Sequence, residues 1–167
     1  MTVLRAPLVI RPAGAADWAA IWPIFAAVVA RGDSYTFAPD TPEPEARRLW
    51  MGPGLAIYVA ELDGEAVGTY VLKANQPGLG AHVANAGYMV RPDRFGRGIG
   101  AAMCAHSLTE ARSAGFAAMQ FNAVVSTNTR AIALWQRFGF TIVGTVPKAF
   151  RHRELGDVDL HVMHRFL

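Results

Sequence analysis

The chain has a single cysteine, Cys104, so no disulfide can form within it and a Cys-x-x-Cys zinc site is absent. Its five histidines are scattered, with no His-Glu-x-x-His or His-x-His pair, and the expectation is no metal. Long apolar runs are missing as well. The longest, Ala19 to Ala30, is too short for a membrane span and contains Pro23. The opening residues lack an apolar core followed by a cleavage site, and the expected compartment is the cytoplasm. Excess charge is small: the net value is +3, and among the basic residues only Arg47 and Arg48 are adjacent. Basic tracts interleaved with aromatic residues are therefore absent, which argues against a nucleic-acid partner. A modest excess of arginine suits an anionic small ligand better.

What is present is a globular composition, too apolar for a disordered chain, at a length of 167 residues that suits one domain spanning 1–167. Repeats, low-complexity tracts and linkers are not found. Leu8 to Pro12 reads as a short opening strand. Asp17 is placed to cap a helix whose apolar residues Trp18, Ile21, Trp22, Phe25 and Val28 or Val29 recur at helical spacing, with Pro23 expected to kink it or sit in its first turn. Thr41 is the expected N-cap of a second helix that ends before Gly52. Leu55 to Leu62, the Asp63-Gly64 turn and Glu65 to Lys73 form a hairpin signal, and Val83 to Val90 is a further strand. Ile99 to Ala114 reads as a helix stopped by Gly115, and Phe116 to Val125 as a strand. Asn128 can cap a helix to Phe138, and Phe140 to Val146 and Val158 to Phe166 are the last strands. The order β-α-α-β-β-β-α-β-α-β-β predicts an α/β (α+β) fold: a mixed, mostly antiparallel sheet of about seven strands flanked by about four helices.

The densest signal lies between the strand ending at Val90 and the helix starting at Ile99. Gly96, Gly98 and Gly100 alternate there, among Arg91, Arg94 and Arg97. Backbone amides at a helix N-terminus are unpaired and carry the positive end of the helix dipole, so such a turn can hold an anion. A pyrophosphate is the natural guest. A Walker loop would need a Gly-Lys-Ser/Thr ending, which is absent. A dinucleotide fingerprint would need a third glycine where Met103 stands, and an acid on the following strand, which has none.

The spacing resembles the acetyl-CoA loop of the GCN5-related N-acetyltransferases. Their Q/R-x-x-G-x-G/A pattern after a Val-x-Pro strand end is matched by Val90-Arg91-Pro92, then Phe95, Gly96, Arg97, Gly98, Ile99 and Gly100. A second signature, N-x-x-A-x-x-L-Y-x-x-x-G-F, is matched by Asn128, Ala131, Leu134, Trp135, Gly139 and Phe140. Phe95 stands where the family has Gln or Arg, and Trp135 where it has Tyr. The stretch from Asn85 to Gly139 is similar to the fungal enzymes that acetylate proline analogues such as azetidine-2-carboxylate, in which three asparagines matter; the motifs place these at Asn85, Asn122 and Asn128.

The resemblance implies acetyl-CoA as acetyl donor, a small-molecule amine as acceptor, no metal and a homodimer. It assigns the cofactor to Met89, Val90, Phe95, Gly96, Arg97, Gly98, Ile99, Gly100, Ala101, Asn128, Ala131 and Trp135. Val83 to Val90 carries no Asp or Glu, so a strand carboxylate is not the base. The expected scheme is a water held by Asn85, a substrate oriented by Asn122, and an oxyanion met by a backbone N–H near Met89 or Val90. Trp135 cannot protonate the departing thiolate, because an indole N–H is no acid at neutral pH, so it is read as packing. Tyr35 is a candidate lining of the acceptor site, and His82 a weaker candidate base. The alternative function is a non-catalytic module that senses acyl-CoA.

Overall fold

The computed structural model describes residues 7–167. Its elements run β1 (Val9–Pro12), α1 (Trp18–Val29), α2 (Glu43–Met51), β2 (Ala56–Leu62), β3 (Glu65–Ala74), β4 (Val83–Val90), α3 (Ile99–Ser113), β5 (Ala118–Val125), α4 (Thr129–Arg137), β6 (Thr141–His152) and β7 (Gly156–Phe166). The seven strands form one sheet in the order β1-β2-β3-β4-β5-β7-β6. Every neighbouring pair is antiparallel except β4 with β5.

The helices divide between the two faces. Ile21, Ile24, Phe25, Val28 and Val29 of α1 and Ala46 and Trp50 of α2 pack with Val71 and Met89. Ile99, Met103, Cys104, Leu108 and Ala111 of α3 pack on the other face with Tyr70, Leu72, Ala84, Phe121 and Met163. Apolar spacing at 3.6 residues in α1 and strand alternation in β4 produce this split directly. The Asp63-Gly64 turn has φ of 53° and 78°, both positive, as a type I′ hairpin requires.

Three local expectations need correction and a fourth is narrowed. Asp17 does not cap α1 through its side chain; its carboxylate accepts the Gly14 N–H and two bonds from Arg11. Thr41 does not cap α2, because its hydroxyl donates to the Ala38 carbonyl and Pro42 takes the cap position. Of the two places expected for Pro23 the first turn is excluded: it lies mid-helix on the exposed side of α1, where the Ala19 carbonyl that loses its donor is also exposed. β6 continues through Pro147 to His152. It is the edge of the sheet, and a register shift between Val146 and Phe150, with Lys148 at φ 50°, absorbs the missing N–H.

Among the described residues no helix is long and apolar enough to cross a membrane, and no group of three or more His, Cys, Asp or Glu could hold a metal ion.

Candidate active site

The one parallel pair is short. β4 and β5 are in register only at Val83 with Ala118 and Ala84 with Met119, although β4 runs on to Val90 and β5 to Val125. Beyond those residues the strands part, and the gap opens beside the N-terminus of α3. The Asn85 Nδ2–H donates across the base of the notch to the Gln120 carbonyl at 2.9 Å.

The β4 ladder fixes which main-chain groups face the gap. The Val83 carbonyl accepts the Asn75 N–H, and the Arg91 N–H donates to the Val67 carbonyl. Odd-numbered residues of β4 therefore turn their amides toward β3, and even-numbered ones turn toward the gap. Met89 is paired opposite Thr69, so its N–H is not available as an oxyanion donor. The Val90 N–H is the one that faces the opening.

At the neighbouring helix end, Gly96 and Gly98 hold φ at 76° and 79°. Left-handed backbone of this kind favours glycine. The first α3 bond runs from the Ala102 N–H to the Gly98 carbonyl. The N–H groups of Ile99, Gly100 and Ala101 therefore have no partner in the helix and point outward at its positive end.

A cavity of about 1080 Å³ joins the notch to this helix end. Met89, Val90, Phe95, Gly96, Gly98, Ile99, Gly100 and Ala101 line it from the loop side, and Asn128, Ala131 and Trp135 from α4. Tyr35, Asn85 and Asn122 line it as well. Arg97 is exposed and lies outside the lining, as does His82, whose carbonyl accepts the Ala117 N–H.

The arginines divide their work differently from the sequence expectation. Arg91 is bound by Asp93 at 2.7 Å, and Arg94 by Glu65 at 3.2 Å. Arg130, on α4, has no carboxylate partner among the described residues and lines the cavity. Its Nη2 lies 3.6 Å from where a Cβ on Gly96 would stand. Sequence reading passed over it because its signal, an arginine between Asn128 and Ala131, lies inside a motif read for other positions.

The side chains are tightly committed. The Tyr35 hydroxyl donates to the Tyr88 carbonyl at 2.8 Å, and burial pushes its pKa well up. The Tyr88 hydroxyl is paired with Ser107 Oγ at 2.6 Å, and desolvation raises its pKa as well. No tyrosine hydroxyl in the lining is free to act as an acid. Trp135 packs on Tyr88 and Phe121 at centroid distances of 5.0 and 5.1 Å, as core packing requires. Asn122 is exposed; it donates to Asn75 Oδ1 at 2.6 Å and accepts from Gln120 at 2.9 Å. Asn128 Oδ1 caps α4 by accepting the Ala131 N–H at 3.3 Å, which leaves its NH₂ group to the cavity. Phe95 is 41% exposed, and the Arg31 guanidinium sits over its ring at 5.3 Å from the centroid, joining the loop after α1 to the glycine loop.

Comparison with known proteins agrees with this geometry. The family model described as the acetyltransferase (GNAT) family matches residues 22–140. The N-acetyltransferase aca1 of Schizosaccharomyces pombe is 33% identical over 111 residues, 66% of this chain and 53% of that protein. The chain thus spans about half the length of that curated relative. A GCN5-related N-acetyltransferase from Kribbella flavida shares 48% identity and a TM-score of 0.90, over 96% of this chain and 98% of that one. The protein yncA from Salmonella typhimurium, solved with its cofactor acetyl-CoA, superposes with a TM-score of 0.81 at 25% identity, over 97% and 95% of the two chains.

Proposed function

The chain belongs to the GNAT family of acetyltransferases, and from that premise we propose that it transfers the acetyl group of acetyl-CoA to the amine of a small molecule, an amino acid or proline analogue. The observation that carries this reading is the parting of β4 and β5 beside the unpaired amides of α3. A pyrophosphate suits the α3 N-terminus with Arg130 beside it, and an extended pantetheine arm suits a strand-shaped gap with a free Val90 N–H and the Asn128 NH₂ group. These residues fit the cofactor without any change in the fold.

In the reaction a C–N bond forms as the thioester C–S bond breaks. The Val90 N–H is oriented to meet negative charge developing on the carbonyl oxygen. Asn85 Oδ1, whose amide is already fixed by Gln120, can hold the water that receives the ammonium proton. The thiolate leaves without a side-chain acid, which a leaving group of pKa near 8.5 tolerates. Proximity supplies much of the acceleration.

A second reading, an acyl-CoA sensor without turnover, draws support from Trp135 and from the occupied hydroxyls of Tyr35 and Tyr88. Thermal unfolding with acetyl-CoA, with NADH as control, tests the shared premise. Ligand at a hundred times its Kd should stabilise by about 2.7 kcal/mol, raising Tm by several degrees for a chain of this size. No shift with acetyl-CoA, or a shift with NADH alone, would remove the acetyl-CoA reading. Binding without acetylation of any amine would favour the sensor.

A further inference from the structure

One part of the cavity has a wall from residues 33–37 after α1 and another from His152, Glu154 and Leu155 at the β6–β7 turn. The second wall is folded around an imidazole. His152 Nδ1 accepts the N–H of Glu154 at 3.1 Å and of Leu155 at 3.2 Å. With Nδ1 engaged as an acceptor, the neutral ring carries its proton on Nε2. Arg153 turns the opposite way. Its N–H donates to the Gly32 carbonyl at 3.1 Å, and its guanidinium to the Ala30 carbonyl at 3.0 Å. Gly32, at φ 64°, permits this approach, since a Cβ there would stand 3.1 Å from Arg153 Cβ. The turn is therefore held to the loop after α1, and His152, Glu154 and Leu155 are left lining the cavity.

The charges in this part are unequal. Asp33 is bound by Arg31 at 2.9 Å, and Arg31 is itself drawn over Phe95. Glu154 has no cation partner among the described residues. Tyr35 has spent its hydroxyl proton on Tyr88, and Asn85 one of its amide protons on Gln120. The lining includes two side chains with oxygen acceptors to spare, the exposed Glu154 carboxylate and Asn85 Oδ1. Such a lining attracts an ammonium group.

We propose that Glu154 is the specificity-determining residue for the acceptor: its carboxylate binds the ammonium form of the incoming amine and draws it toward the notch. His152 is a positioning residue that acts through the turn it folds. This inference rests on the acetyltransferase reading above.

The test uses the full chain, with azetidine-2-carboxylate, L-proline and L-prolinamide as acceptors and an independent measurement of the acetyl-CoA Kd. For the amine turned over best, Glu154→Gln is expected to raise KM at least tenfold, with a much smaller change in kcat and an unchanged acetyl-CoA Kd. Glu154→Asp should recover most of the loss. His152→Asn, whose side-chain oxygen can take the same two N–H groups, should stay near wild type, while His152→Phe should follow Glu154→Gln. An amine KM that Glu154→Gln leaves unchanged overturns the inference and leaves the acetyltransferase reading standing. A wild-type protein that does not bind acetyl-CoA, or acetylates none of the three amines, overturns that reading and this inference with it.

Discussion

Asn122 shows how one side chain can be assigned by motif and still be placed differently by the fold. It lies where β5 breaks register with β7, between Phe121 and Val124, so its residue escapes the ladder and its amide reaches Asn75 on the loop before β4. That bond joins β5 to the opposite side of the notch. Removing it should disturb substrate alignment more than folding, because an exposed neutral hydrogen bond contributes about 1 kcal/mol. Asn122→Ala is therefore expected to lower kcat/KM tenfold or more with little change in Tm; steady-state kinetics alongside thermal unfolding checks this, and an unchanged kcat/KM removes Asn122 from the mechanism. Cys104, by contrast, is a residue with nothing to do in the site. Burial pushes its thiol up to about 12, which makes it a small apolar filler of α3.

At the scale of elements, the start of α1 is fastened to the sheet by charge. Arg11 on β1 donates to Asp17 before α1 and to Glu61 on β2, at 2.8 and 2.7 Å. The Arg11 bond, then the Gly14 N–H, hold the Asp17 carboxyl below its ordinary value of 3.8. A carboxyl lowered in the folded state adds stability that is fully present above its unfolded pKa and is lost as pH falls through the folded one. Asp17 is partly exposed, so solvent screens the pair and the effect is modest. Urea midpoints of the wild type and Asp17→Asn should therefore differ by a constant amount above about pH 5 and converge as pH falls through the lowered Asp17 value. A gap that persists at low pH would assign the role to shape and not to charge. The aromatic chain on the same face works without charge. Trp18, Trp22, Phe25, Phe37 and Tyr35 stack in turn and Tyr35 meets Trp50 edge-on, at centroid distances between 5.5 and 6.2 Å. It holds Tyr35 against β4, and Gly87 leaves just the room required: a Cβ there would stand 3.0 Å from the Tyr35 hydroxyl.

For the molecule as a whole, the exposed edge is the strongest unspent feature. β6 is exposed from Thr141 to Ala149, and Ile142, Val143 and Val146 are 40%, 60% and 49% exposed. An open strand edge with apolar side chains invites pairing. We propose that two copies pair along it as a homodimer. Sedimentation should then give twice the chain mass, and Val143→Lys should return a monomer; a wild-type monomer at micromolar concentration would discard the pairing. The β6–β7 turn carries Glu154 at the end of this same strand, so a dimer would also steady the acceptor wall.

The amino-acid sequence by itself determined the element order, the hairpin turn at Asp63-Gly64, and the glycine-rich helix start, because each depends on local backbone preference and on spacing within one segment. It also marked the part of the cavity lining that comes from the glycine loop and α4, since Gly96, Gly98, Asn128 and Trp135 sit in two compact motifs. Only the tertiary structure decided how those motifs meet. The register of β4 against β3 turned the Met89 N–H into the ladder and left that of Val90 free. Ion pairs with Asp93 and Glu65 occupied Arg91 and Arg94, while Arg130 came in from α4. His152 and Glu154 reached the cavity because β6 runs on through Pro147 and its turn is held to Gly32, a contact between residues more than a hundred positions apart. Such contacts arise when strands and helices pack, and no local spacing encodes them.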